Sequence, residues 1–337
     1  MNPLATGAGS DLRDFLESVR RRCSGDPGIV VRSRDEQPLP RELWRGLGDL
    51  GVLGLGAGDD AAWMAATFCE LGLLLCPGPL AATAMALHLL PASETPAVRS
   101  GERIVAVGND GVFPWGVDAD VLIATDGDSA WLVDSSAPRR PMATLGREPW
   151  ARVDAHAGPP LPNGRRAAAA GDLAVAALVI GAASRAVAMA AEHAATRRQF
   201  GRAIGSFQAV AFPLAAAHVS LHNAACLTRS AAQAIDTGED ARALCAGART
   251  MAAAAGLEAA RVAHQAFGAT GFTEESPLAA YTTRIRQWTL LPPDAASRRT
   301  ALLAGIGIEA SNDTAPAVGA HAQGLDRAAA RVMTHGE

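Results

Sequence analysis

The 337-residue sequence predicts a mainly α-helical protein with a small β-domain set between two helical regions. Three observations carry that reading. From Arg165 onward alanine dominates, and the segments 168–196, 207–236, 239–267 and 296–310 read as four helices of strong intrinsic propensity, enough for a four-helix bundle. Between 101 and 162 the composition changes to short valine-rich runs separated by turns. Before them, apolar residues recur at helical spacing. The resulting division is an N-terminal helical domain over 1–100, a small β-domain over 101–162, a bundle over 163–310 and a polar tail over 311–337.

The elements follow in order. From Asp11 to Arg22 the apolar positions Leu12, Phe15, Leu16 and Val19 mark an amphipathic first helix, and a linker with Asp26, Pro27 and Gly28 follows it. In LPRELWRGLGDLGVLGLG, Leu43, Leu47 and Leu50 line one helix face until Gly54, Gly56 and Gly58 end the pattern. Residues 61–91 resume it, with a break at Pro77, Gly78 and Pro79. RIVAVG, DVLIAT and SAWLVDS are the strand candidates, and Pro-rich loops lead from them into the bundle. So much alanine implies close helix packing rather than a functional stripe.

Composition excludes some partners. With 49% apolar and 19% charged residues and a net charge of −4, the chain lacks the basic excess that nucleic-acid binding requires. Five cysteines form an odd set without Cys-x-x-Cys pairs or metal-like grouping with histidine, the pattern of reduced thiols in a cytoplasm. MNPLATGAGSDLRDF shows no secretory signal, and no stretch is expected to be long and apolar enough to span a bilayer. His193, His218, His222 and His264 lie on expected helices without metal-ligand spacing and read as packing or surface residues.

Two interruptions of the bundle carry the chemistry. RRQFGRAIGSFQ, Arg197 to Gln208, places arginines and glycines between two apolar helices. Arg197 and Arg202 can clamp an anion through bidentate guanidinium bonds, and Gly201 and Gly205 allow close backbone approach. QAFGATGFTEESPL, Gln265 to Leu278, again joins glycines to a polar anchor. Each alone is equally readable as an ordinary helix end. Two such breaks can grip one nucleotide.

Together they resemble the acyl-CoA dehydrogenases. That family's Arg-x-Gln-Phe-Gly followed by Phe-Gln is matched by Arg197, Gln199, Phe200, Gly201, Phe207 and Gln208. Its Gln-x-x-Gly-Gly-x-Gly-Tyr-Thr is matched by Gln265, Gly268, Gly271, Phe272 and Thr273, with Ala269 in place of the second glycine. The resemblance covers residues 11–305. It implies an N-terminal helical domain, a β-barrel-like middle domain and a C-terminal four-helix bundle. It further implies that Arg197, Gln199, Phe200, Phe207, Gln208, Gln265, Gly268 and Ala269 hold FAD across a subunit interface, that the substrate is an acyl-CoA, and that electrons pass to an electron-transfer flavoprotein.

The sequence departs from the family where the chemistry needs a base. Alignment on Arg286 and Thr289 puts Leu291, Pro292, Pro293 and Asp294 where most members carry a glutamate. The other family position for it falls on Gly171. Neighbouring Asp172 is open to two readings, a displaced base or a helix-end charge favoured by the dipole. The family's Thr-Glu-Pro-Gly-x-Gly-Ser loop, which contacts the isoalloxazine ring, is missing between RIVAVGND and GVFPWGVDAD. Phe113, Pro114, Trp115 and Gly116 are there instead, as a wall over a ligand or, more simply, as core.

A chain that keeps the clasp and lacks the base resembles the shortened subunit of heteromeric (α2β2) actinobacterial steroid acyl-CoA dehydrogenases. The resemblance therefore implies a second acyl-CoA dehydrogenase-like subunit that supplies the glutamate, and a bulky, steroid-type CoA thioester. The alternatives are a structural or regulatory subunit without flavin, and a self-sufficient homodimer using Asp172.

Overall fold

The computed structural model describes residues 1–24, 38–154, 158–273 and 276–308. The expected linker at 26–28 and the tail beyond 311 lie outside the described residues. Helix α1 (Ser10–Ser24) buries Leu16, Val19 and Cys23 on one face. In α2 (Arg41–Asp49) the buried set is Leu43, Trp44 and Leu47. Helices α3 (Ala61–Leu73), α4 (Leu80–Leu89) and α5 (Thr95–Arg99) complete the first helical region.

The middle region holds two three-stranded sheets. In the first, β1 (Val105–Gly108) pairs in parallel with β3 (Val121–Asp126), which pairs antiparallel with β4 (Ser129–Val133). In the second, β6 (Trp150–Val153) lies between β2 (Val112–Phe113) and β5 (Arg139–Met142). The three runs named from the sequence are β1, β3 and β4. Strands β5 and β6 occupy what read as Pro-rich loops.

Helices α6 (Gly164–Thr196), α7 (Gln208–Asp236) and α8 (Arg242–Phe267) are the long members of the bundle. The fourth place is shared by two short helices, α9 (Leu278–Trp288) and α10 (Ala295–Gly305), of which α9 was not expected. Alanine explains the close approach, since small side chains let helix backbones meet. At the α3–α6 crossing, a Cβ on Gly72 would lie 2.2 Å from the Leu178 carbonyl oxygen, and one on Gly181 would lie 2.0 Å from that of Cys69. Only glycine fits either position. Asp236 ties α7 to α3 by accepting the amide protons of Ala61 and Ala62 at 2.7 and 3.0 Å, satisfying two orphan donors of a helix start.

The expectation that no segment is long and apolar enough to cross a membrane needs correction, because α6 and α7 both are by length and composition. Their burial differs. Helix α6 runs through the middle of the bundle and is largely enclosed, so its apolarity is that of a core helix. Helix α7 is mostly open, with Phe212 and Val219 exposed by 63% and 56% on one face. An apolar face of that size on a helix marks a contact surface.

Candidate functional site

The first interruption folds as a short hairpin, β7 (Arg198–Gln199) pairing with β8 (Arg202–Ala203). At its tip Phe200 and Gly201 both take positive φ, 52° and 79°, the geometry of a two-residue I′ turn. Such a φ is strained for a bulky residue, and Phe200 is 92% exposed. Phe207 sits at the N-cap of α7, with the Arg202 guanidinium carbon 3.9 Å from its ring centroid and the Phe200 ring edge-on at 6.2 Å. Gln208 is the first residue of α7 and is exposed. A helix start offers unpaired amide protons and the positive end of the macrodipole.

The arginines of this hairpin differ. Arg198 donates to the Gly201 carbonyl at 3.2 Å, and the Gln199 amide donates to the Arg198 carbonyl at 2.8 Å, so both serve the turn itself. Arg197 ends α6 with its backbone held by His193 and Ile204. Its exposed guanidinium has no partner among the described residues.

The second interruption ends α8. Gly268 takes φ 61° and ψ −140°, a region that only glycine enters freely, and a short turn over residues 268–272 follows. Gly268 and Ala269 are exposed, and Gln265 accepts a 3.2 Å hydrogen bond from Arg261. Antiparallel connection brings both interruptions to one end of the bundle. Their junction is the stack of His193 on Phe267, with ring centroids 4.4 Å apart and an interplanar angle of 12°. His264 stacks likewise on Phe272 at 4.7 Å and hydrogen-bonds Thr282 at 2.8 Å. Burial and Arg286 hold its pKa below the ordinary value. These histidines are packing residues, as their spacing implied, and what they pack is the site.

The two expected positions for a base also meet. A Cβ on Gly171 would lie 2.7 Å from Met85 Sδ and 3.3 Å from Pro293 Cδ, so the first turns of α6 face the 291–294 turn. Neither position offers an acid to the space beside them. Met85, Val107, Trp115, Trp288, Leu291 and Pro292 close it down to ≈ 20 Å³, room for about one water. Phe113 and Trp115 are core residues, 0% and 4% exposed. The loop that the family places after β1 is a two-residue turn, Asp110–Gly111, closed by Asn109 and Val112.

Asp172 faces away from that space. It is fully buried, with one carboxylate oxygen 2.7 Å from Arg242 Nη1 and the other 3.1 Å from Arg249 Nη1. Burial pushes its carboxyl up against the pull of Arg249 and Arg242, and pushes the Arg249 guanidinium down to about 10. Arg249 also donates to the Leu291 carbonyl, and Arg298 to that of Pro293 at 2.5 Å. The cluster thus fixes the 291–298 turn, and Asp172 serves as its anion, neither a free base nor a helix-end charge. Asp294 caps α10 by accepting the Ser297 amide proton at 2.8 Å.

A second buried carboxylate escaped the sequence reading. Glu148 accepts from Arg284 at 2.5 Å, Gln287 at 2.7 Å, and the indoles of Trp150 and Trp288 at 3.2 Å each. It fastens the second sheet to α9. Only the clustering of polar residues in TRIRQW hinted at a buried partner for that helix.

A glycine-broken pair of junctions on one end of an alanine-rich bundle, ahead of which stand a small two-sheet region and a helical region, is an architecture shared with the acyl-CoA dehydrogenases. The family model described as acyl-CoA dehydrogenase, C-terminal domain, matches residues 166–291. The acyl-CoA dehydrogenase IpdE2 of Mycobacterium tuberculosis is 31% identical over 261 residues, covering 72% of this chain and 81% of that protein. The chain belongs to the acyl-CoA dehydrogenase family. Two solved structures share its fold. The ChsE4-ChsE5 complex of Mycobacterium tuberculosis gives a TM-score of 0.74 at 20% identity, over 90% of this chain and 99% of the other. The Tcur3481-Tcur3483 steroid ACAD, a G363A variant, gives 0.73 at 21% identity, over 89% and 98%.

Proposed function

We propose that this chain is the clasp-bearing, base-lacking subunit of a heteromeric FAD-dependent acyl-CoA dehydrogenase, and that a related partner subunit supplies the catalytic glutamate. The observation that carries the reading is the contrast between an open clasp and a closed pocket. At the clasp, the Arg197 guanidinium has no partner among the described residues, Gln208 opens a long helix, Gly268 has open space beside it, and Ala269 is exposed. These groups fit the diphosphate of a dinucleotide. The ≈ 20 Å³ left behind Trp115 and Trp288 does not fit a flavin ring. In this reading the chain's residues suit the diphosphate half of the cofactor, and the ring is left to the partner.

In this reading Arg197 and the α7 N-terminus hold the anionic centre of a flavin seated on the partner, with Gln265, Gly268 and Ala269 toward the adenosine end. The flavin supplies the acceptor for the hydride that leaves the β-carbon of the thioester. The exposed Phe212–Val219 face of α7, continuous with the clasp, is the surface the partner covers, giving an α2β2 assembly. A bulky, steroid-type acyl group is supported by the fold shared with a protein described as a steroid ACAD. Electrons would leave to an electron-transfer flavoprotein. The cytoplasmic setting rests on the cysteine pattern alone.

The closed pocket equally favours a second reading, a structural subunit that binds no flavin. Replacing Arg197 with alanine in the co-purified assembly separates the two, since only the clasp reading requires flavin to be lost from an intact complex. A self-sufficient homodimer using Asp172 is not supported, because both oxygens of that carboxylate are committed inside the core. Turnover by this chain alone that disappears in Asp172→Asn while folding is kept would reinstate it.

A further inference from the structure

Further along the α7 stripe that carries Phe212 and Val219 lies a cluster that the flavin reading does not use, and because the proposed partner would cover that stripe the inference concerns the free chain. His222, Cys226 and Arg229 stand at i, i+4 and i+7, so helix geometry places them on one side. His222 Nε2 lies 3.6 Å from Cys226 Sγ, and Arg229 Nη2 donates to that sulfur at 3.2 Å. The guanidinium is not mobile, because its Nη1 donates to the Pro3 carbonyl at 2.8 Å. His222 is exposed, and Cys226 is partly open, whereas Cys23, Cys69, Cys76 and Cys245 are buried. Burial additionally pushes the Cys69 and Cys245 thiols up, away from reactivity.

From this geometry we infer that Cys226 is a reactive thiol, a site of mixed-disulfide formation with low-molecular-weight disulfides. As Sγ attacks one sulfur of R–S–S–R, the imidazole of His222 takes the thiol proton, and the Arg229 N–H faces the sulfur as charge develops on it. The Sγ–S bond forms, the old S–S bond breaks, and the departing thiolate takes the proton back from the imidazolium. The sum is one protein thiol and one small disulfide converted to a protein mixed disulfide and one small thiol. Cys226 is oxidised, and the leaving sulfur is reduced.

The adduct has a structural consequence. It displaces the Arg229 nitrogen from the sulfur, and Arg229 in turn anchors the turn over residues 3–5. Asn2, just before that turn, is the residue that hydrogen-bonds Ala66 and Glu70 at 2.8 and 3.1 Å. Modification at Cys226 therefore loosens the N-terminal segment from α3.

The test treats the folded full chain with a chromogenic aryl disulfide, dithiobis-nitrobenzoate, follows thionitrobenzoate release, and maps the adduct by peptide mass spectrometry. A single fast thiol at Cys226 is the expected result, absent in Cys226→Ser. His222→Ala slows the fast phase about tenfold or more, His222→Gln does the same, and neither changes the thermal midpoint, since His222 is exposed and makes no other hydrogen bond or ion pair among the described residues. Hydrogen exchange at residues 1–7 should speed up in the adduct. A fast thiol at another cysteine, reaction no faster than global unfolding, or an unchanged rate in both His222 variants would overturn the inference.

Discussion

Helix α6 begins with one charged residue of consequence and ends with another, and the two are treated in opposite ways. Asp172 lies in its first third, sealed from water and gripped by two guanidiniums. Arg197 closes it about 37 Å away along the axis, at about 1.5 Å per residue, open to water and without a side-chain partner among the described residues. A buried charge must be paired where it stands, so its chemistry is consumed by the fold. An exposed, unpaired one is available to something outside the chain. The family's base positions fall in the first region, which the fold closes, and the proposed clasp falls in the second, which it leaves open.

The comparison breaks most easily at its buried end. Asp172→Ala leaves Arg249 without its anion and Arg242 with only Asp128, and is expected to lower unfolding free energy by about 3–5 kcal/mol in a urea titration. A loss under about 1 kcal/mol would mean the pair is not the lock described. Glu148→Ala should follow, at about 3 kcal/mol, because Arg284 and two indoles lose their acceptor together.

An intermediate effect comes from pH. Burial lowers the pKa of both His88 and His264 from the ordinary value near 6.5, so the native state prefers the neutral rings. The unfolded chain then binds protons first. Stability is full above about pH 6.5 and falls as the pH drops from there through the depressed native values. Denaturation midpoints at neutral and mildly acidic pH test this, and His264→Gln should flatten the profile. A midpoint that rises on acidification has the wrong sign.

The exposed end should barely register on stability. Arg197→Ala and Phe212→Asp are each expected within about 0.5 kcal/mol of the parent by thermal melting. Their effects separate elsewhere: Phe212→Asp prevents co-purification with the partner subunit, while Arg197→Ala leaves the complex and empties it of flavin. A Phe212→Asp chain that still assembles would move the interface off α7.

How much of this was legible depended on distance along the chain. Helices α6, α7 and α8 were readable because alanine density and propensity are local properties. The two interruptions that form the proposed clasp were readable because each is contiguous, Arg197 to Gln208 and Gln265 to Thr273. That they lie at one end of the bundle was not, since the stack that marks it pairs His193, in the last turn of α6, with Phe267 at the end of α8, far apart in sequence. Strand β5 was hidden because Arg139, Arg140 and Pro141 supply no apolar alternation, and its register comes from β6. Helix α9 was hidden because Arg284 and Gln287 look like surface residues until Glu148 is placed against them. Asp172 was misjudged for the same reason, its partners lying 70 and 77 residues away.

In the proposed function this chain grips, from outside, a flavin seated on its partner. Flavin absorbance per protein, measured on the isolated chain and on its co-purified complex with and without Arg197→Ala, tests it most directly. The expected result is an essentially colourless isolated chain, a yellow complex, and a colourless complex of unchanged size when Arg197 is replaced. A stoichiometrically yellow chain on its own, or an Arg197→Ala complex that keeps all its flavin, would contradict it.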